Sequence, residues 1–216
     1  MTDNKLIQYH DLVSAIICAL EERDTYTEFH SIRVADMSQQ ICKLMNLSEE
    51  ESEKIHIAAH LHDIGKIGID DSVLRKEGKL NFEEWNKIKS HSFIGYKILH
   101  KIKSFGEISE IVLHHHERWD GKGYPSEIKE KEIPLGSRII AVIDSIDAMM
   151  SKRCYRNNLT SEQCKAEIKK NIGLMYDPKI AALVLNKWDE IVSARNDFNA
   201  MEKNEIETLD CIWSGI

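Results

Sequence analysis

Three prolines and ten glycines are all that punctuate 216 residues, and that scarcity constrains the fold more than any other feature of the chain. These two residue types end helices and shape tight turns, so a chain poor in both favours long helices over many short strands. The apolar positions agree. Leu6, Val13, Ile16, Ile17 and Leu20 recur at helical spacing and predict an amphipathic opening helix. Phe29, Ile32, Val34, Met37, Ile41 and Leu44 predict a second. Ser48 with Glu51 is a capping-box signature for a third, running through Ile55, Ala59 and Leu61. Asn81 and Glu84 repeat it ahead of one helix carrying Trp85, Ile88, Ile94, Ile98 and Leu99. Further helices are expected over 106–116, from Pro134 in a first turn to Met150, behind Thr160 and Gln163, and from Asp177-Pro178 to near Ser193. The Ile139–Ile143 run is β-prone in isolation, but its flanks keep helical spacing. Loops are expected over 65–80 and 117–133.

Composition narrows the class. Hydrophobic content of 42% beside 30% charged residues is that of a globular protein with one sizeable core. No apolar run approaches the roughly 20 residues needed to span a bilayer. The N-terminal Met1-Thr-Asp-Asn-Lys lacks the basic and apolar regions of a signal peptide, so a cytoplasmic protein with no membrane partner is expected. A net charge of −7 argues against DNA as a partner. It leaves room for a small anion in a pocket whose local field is set by metal ions. Cys18, Cys42, Cys154, Cys164 and Cys211 never pair at CxxC spacing and read as reduced, structural thiols.

The chemistry sits in the histidines, most of which crowd between 56 and 116. His62-Asp63 offers an imidazole and a carboxylate that can bridge two ions, but alone such a pair means little. His30, His91, His115-His116 and Asp144 change the odds. Asp144 follows an apolar run, where an isolated carboxylate is expensive to bury without a cation. Five histidines and two aspartates on separate helices suffice for two ions, which can clamp a phosphodiester and lower the pKa of a bridging water. Such mixed N/O sites suit Fe, Mn, Zn or Ni.

The stretches His62-Asp63-Ile64-Gly65-Lys66, His115-His116-Glu117-Arg118-Trp119-Asp120-Gly121-Lys122-Gly123-Tyr124-Pro125 and Asp144-Ser145-Ile146-Asp147-Ala148-Met149 resemble the signature of the HD-GYP family. Gly78-Lys79-Leu80, Glu84-Trp85, Ile133-Pro134-Leu135 and Asp177-Pro178 match too, so the resemblance covers roughly 24–190. It implies an all-α HD-domain bundle of about seven to nine helices. With the apolar spacing at the two ends, the expected organisation is an N-terminal amphipathic helix over 1–23, the HD-GYP domain over 24–195 and a tail over 196–216, expected to be helical with Ile206, Leu209, Ile212 and Trp213 on one apolar face.

The activity implied is hydrolysis of cyclic di-GMP, to a linear dinucleotide or on to GMP, by a hydroxide that two divalent ions activate. Carried over by position, the metal ligands are His30, His62, Asp63, His91, His115, His116 and Asp144, with Asp63 as the bridge. Lys66 is expected to meet the phosphate in catalysis, Arg153 and Arg156 to grip the dinucleotide, and Tyr124 to shape its surface. Asp147, one turn from Asp144, would orient a ligand, while His56, His60 and His114 have no family role. The Gly-Tyr-Pro loop implies docking of GGDEF-domain proteins, and a homodimer is left open. One departure stands out. Trinuclear relatives carry a glutamate four residues before the first ligand histidine, where this chain has Tyr26, and Glu28 falls on the far side of the helix. Two ions, Fe or Mn before Zn or Ni, are therefore expected. The competing readings are a phosphohydrolase for another cyclic dinucleotide or nucleotide, a slow regulatory module, and a di-iron oxygenase. The phosphate-facing cations weigh against the last.

Overall fold

The computed structural model describes residues 29–151 and 158–195. The expected helix over 1–23, Tyr26, Glu28, Cys18, Arg153, Cys154, Arg156, Cys211 and the tail over 196–216 lie outside the described residues. Among the described residues every regular element is helical: α1 (His30–Leu44), α2 (Glu49–Leu61), a 3-10 turn (Ile64–Gly68), α3 (Asp71–Leu74), α4 (Phe82–Lys89), α5 (His91–Leu99), a 3-10 turn (Lys103–Phe105), α6 (Gly106–Leu113), a 3-10 turn (Glu130–Glu132) within the loop expected over 117–133, α7 (Leu135–Met150), α8 (Ser161–Lys170) and α9 (Pro178–Asn186). The chain is helical again over 188–195. A lone bridge between Ile172 and Tyr176 is the nearest approach to a strand.

The centre of the bundle is α7. Ile139, Ile140, Val142, Ile143 and Ile146 are all 0% exposed and lie on one helix face, with half-buried Ala141 on the other. Around it pack α1, α2, α6, α8 and α9, and α1 and α2 also pack against each other across the short turn at Asn46. Cys42 and Cys164 are buried free thiols of this core.

Five features differ from the sequence reading, the first two for a local reason. The helix expected through Trp85 to Leu99 is two helices. Ser90 Oγ donates to the carbonyl of Lys87 at 2.6 Å, the His91 ring to that of Ile88 at 2.7 Å and Ser92 Oγ to that of Lys89 at 3.3 Å. Three successive side chains thus claim carbonyls that a continuous helix needs for its ladder. The helix expected over 106–116 stops at Leu113, because His115 claims the carbonyl of Val112 in the same way. The last helix breaks at Lys187 before resuming. The loop expected over 65–80 holds the first 3-10 turn and α3, and Pro134 caps α7 rather than lying in its first turn.

The capping signals also divide. Asn81–Glu84 and Thr160–Gln163 make both capping-box bonds. Ser48 accepts from the Glu51 amide, but the Glu51 carboxylate takes the Ser48 hydroxyl instead of its amide. One close approach positions the site. A Cβ on Gly65 would overlap the backbone oxygen of His91 and come 2.6 Å from the amide of Gly95, so only glycine lets the turn after His62-Asp63 lie directly on α5.

Candidate metal centre

The histidines nominated by the sequence stand at helix ends, and three of them take their aim from one repeated bond. His62 caps α2, His91 opens α5, and His115 follows the end of α6. In each, the ring Nδ1 lies 2.7 Å from the carbonyl oxygen three residues back, of Ala59, Ile88 and Val112 respectively. A carbonyl can only accept, so Nδ1 carries the hydrogen and Nε2 presents a lone pair to the interior.

Those lone pairs lack donors. His62 Nε2 is buried with no hydrogen-bond partner. His91 Nε2 and His115 Nε2 face each other at 3.2 Å, and neither has a hydrogen to give. Buried acceptors turned on one another are costly unless a cation sits among them. The donor set therefore fits metal ions.

The ligand atoms fall into two groups. Those of His30, His62 and Asp144 lie within 4.8 Å of one another, and so do those of His91, His115 and His116. Asp63 lies between the groups, with Oδ2 3.4 Å from His62 Nε2 and Oδ1 3.4 Å from His91 Nε2. Lys66, in the first 3-10 turn, holds Oδ2 at 2.9 Å. All seven nominated ligands and Lys66 thus meet in one place.

Electrostatics separate the two groups. Burial, the largest cause at each, lowers the pKa of His91, takes His115 well below its usual range and drops His116 to about 3. All three are neutral near pH 7, the form a metal needs. His30 goes the other way. Burial alone would lower it, but hydrogen bonds and charge from Asp144 and Asp147 push it up to about 10. Burial opposes ionisation of Asp63 and Asp144 as well. Lys66 outweighs it at Asp63, and the His30 bond outweighs it at Asp144, leaving both carboxylates well below their usual range.

Asp147 does more than the sequence suggested. It is fully buried, and its Oδ2 accepts from His30 Nδ1 at 2.8 Å, which turns His30 Nε2 toward Asp144 at 3.3 Å. The same carboxylate receives Arg33 through Nε at 2.8 Å and Nη2 at 2.9 Å, and Arg195 Nε at 2.8 Å. Ser151 adds a bond at 3.2 Å. Arg33 could have been found, since it lies three residues after His30 on one helix face. Arg195 carries no such signal. We expect Asp147→Ala to lower stability by about 3–5 kcal/mol, the cost of removing one partner from a buried charge network. Urea unfolding measures it, and a loss below about 1 kcal/mol, the scale of an exposed pair, would show that the network is not coupled to folding.

The glycine-rich loop folds back over this centre. Glu117 Oε1 accepts from the Ser126 amide at 2.6 Å, and Arg118 grips Asp120 through two bonds at 2.9 and 2.7 Å. Gly123 lies so close to the 116–118 backbone that a Cβ would come 2.6 Å from the His116 oxygen. The Tyr124 ring, 4.9 Å from that of His116, lines a cavity of about 350 Å³ with His30, Asp63, Lys66 and Asp144. Trp85, Ile88, Ser145, Ala148 and Ser151 also line it and were not singled out from the sequence as site residues. The histidines without a nominated role stay apart from it: His56 and His60 pair through Nε2 at 3.2 Å, and His114 lies 3.7 Å from Glu117.

The HD-domain profile matches residues 14–180, more than half of the chain. The chain belongs to the HD-domain family. Its signature places it in the HD-GYP branch, and curated relatives agree. It is 38% identical over 187 residues to a Vibrio cholerae protein named 3'3'-cGAMP-specific phosphodiesterase 2, covering 86% of this chain and 36% of the relative. It is 41% identical over 206 residues to a Thermotoga maritima protein named cyclic di-GMP phosphodiesterase, covering 92% of this chain and 54% of the relative. The HD-GYP chain thus spans about half or less of each relative's length. Among solved structures, a V. cholerae phosphodiesterase described as specific for cyclic GMP-AMP shares the fold, with a TM-score of 0.64 at 19% identity, over 83% of this chain and 48% of that one. No described helix is long and apolar enough to cross a membrane.

Proposed function

We propose that this HD-GYP domain is a metal-dependent phosphodiesterase that hydrolyses a cyclic dinucleotide, with cyclic di-GMP first and 3'3'-cGAMP second. The observation that carries the reading is the pair of three-ligand groups with Asp63 between them, at a cavity that Lys66 also lines. Divalent ions held there, Fe or Mn before Zn or Ni, would supply Lewis acidity toward the phosphate and acidify water. Asp63 holds the two groups to a common anion, and Asp147 keeps the His30 ring aimed. Lys66 Nζ is tethered to Asp63 and offers a positive charge to a phosphate oxygen as negative charge builds there. Tyr124 closes one wall over His116.

Arg153 and Arg156 follow Ser151, which lines the cavity, by two and five positions. They are proposed to grip the substrate phosphates. Arg153→Ala and Arg156→Ala should keep the metal and weaken nucleotide affinity, each by about 1.5–3 kcal/mol as for a charge-assisted hydrogen bond. Unchanged affinity in the double variant, measured by equilibrium dialysis, would return both to the solvated surface.

The function itself is tested on anaerobically purified protein loaded with Fe or Mn, against cyclic di-GMP, 3'3'-cGAMP, cyclic di-AMP and nucleoside monophosphates. Turnover of a guanine-containing cyclic dinucleotide to its linear form is expected. Full metal content with no cleavage of any cyclic dinucleotide would overturn the reading.

A further inference from the structure

Helix α4 is held in an unusual way. It buries none of its residues, so the core contributes little to keeping it in place. Polar ties at its start do so instead. Asn81 and Glu84 exchange both capping-box bonds at 2.8 Å, and Lys76 Nζ lies 2.7 Å from each Glu84 oxygen. Near its far end, Lys87 reaches Asp70 at 3.2 Å. A short helix fixed this firmly without a buried face presents its apolar side chains to something other than the core. Trp85 is 46% exposed and, with Ile88 three residues on, lines the cavity on which the metal-ligand groups open.

The cavity's size says what meets that indole. At about 350 Å³ it stands at the small end of ligand pockets, which run from roughly 300 to 1,000 Å³. A cavity of that size is small for a whole cyclic dinucleotide whose phosphodiester lies over the ligand groups. The bases are then expected to reach its outer wall, and Trp85 is the largest apolar side chain in the lining. We propose that Trp85, with Ile88 beside it, is the stacking platform for one purine base of the substrate. The inference rests on the cyclic-dinucleotide reading above and adds a subsite to it. Every base has a π-face, so stacking confers affinity without choosing between guanine and adenine. Choice between nucleotides then belongs to other groups.

The test uses the full chain, metal-loaded, with metal content measured for each variant. Affinity is read as KM where the nucleotide turns over and as Kd where it only binds. Trp85→Ala should weaken affinity about 5- to 150-fold, the range for one lost base–aromatic stack, with kcat changed far less. Cyclic di-GMP and 3'3'-cGAMP should lose alike. Trp85→Phe should retain most of the affinity and Trp85→Leu should lose it, which separates a π-face from mere apolar bulk even if the alanine variant folds poorly. Equal affinity in the Phe and Leu variants would overturn the subsite, as would a loss confined to one nucleotide or to kcat. Wild-type turnover with unchanged KM in Trp85→Ala would defeat the subsite alone. A wild type that neither binds nor cleaves these nucleotides would defeat the functional reading along with it.

Discussion

Asp63→Ala should empty the centre of metal and abolish turnover together, the largest single effect expected in this chain. Its two oxygens face different ligand groups, each 3.4 Å from an imidazole Nε2 that has no hydrogen to donate. Removing the carboxylate takes a shared anion from both groups at once. It also takes the partner that tethers Lys66 at 2.9 Å. The five nominated histidines would then share one acidic ligand, Asp144, which lies with His30 and His62. A fall of at least about 1,000-fold in kcat/KM is expected, equivalent to about 4 kcal/mol of transition-state stabilisation. Asp63→Asn keeps the shape and removes the charge, so it should fail almost as badly. Metal analysis with hydrolysis of the cyclic dinucleotide measures both losses, and circular dichroism confirms that the bundle is intact. Two ions per chain with normal turnover in Asp63→Ala would end the assignment of Asp63 as the bridge.

How far this centre can be read from sequence depends on which bond does the positioning. Adjacent pairs such as His62-Asp63 and His115-His116 announce themselves, and the helical spacing of α1, α2 and α7 places them on a bundle. The aim of each ring is not legible. For His62, His91 and His115 it comes from a bond between Nδ1 and the carbonyl three residues back, for His30 from Asp147, and the same competition for carbonyls splits α4 from α5 at Ser90. Apolar periodicity continues across that break, so pattern alone joins the two helices. Asp147 could be suspected of orienting a ligand because it lies one turn from Asp144. That Arg195, 48 positions away, completes its shell is a matter of tertiary packing. Trp85 is hidden for a different reason. A tryptophan at helical spacing reads as core, and only the structure shows α4 standing clear of it.

The number of ions is the second large prediction, and it follows from the grouping of the ligands. The described residues offer two sets of three ligand atoms, each set within 4.8 Å, and Asp63 faces both. Two ions per chain are therefore expected, about 3.5–4 Å apart as in other two-metal hydrolytic sites. Single substitutions should split them. His115→Ala damages only the group with His91 and His116, so one ion should remain with His30, His62 and Asp144. His30→Ala should do the reverse, leaving the ion held by His91, His115 and His116. Either variant should lose nearly all turnover, because one ion cannot hold both the attacking and leaving oxygens of the diester. A third ion would need a further carboxylate beside His30. Four residues upstream the chain has Tyr26, whose phenol would have to lose a proton with a pKa near 10 to serve as a ligand. Mass spectrometry under native conditions, paired with elemental analysis, counts the ions in each variant. Simultaneous loss of both ions in His115→Ala would show one cooperative cluster in place of two sites, and a third well-occupied ion in the wild type would show that a ligand other than Tyr26 completes a trinuclear centre.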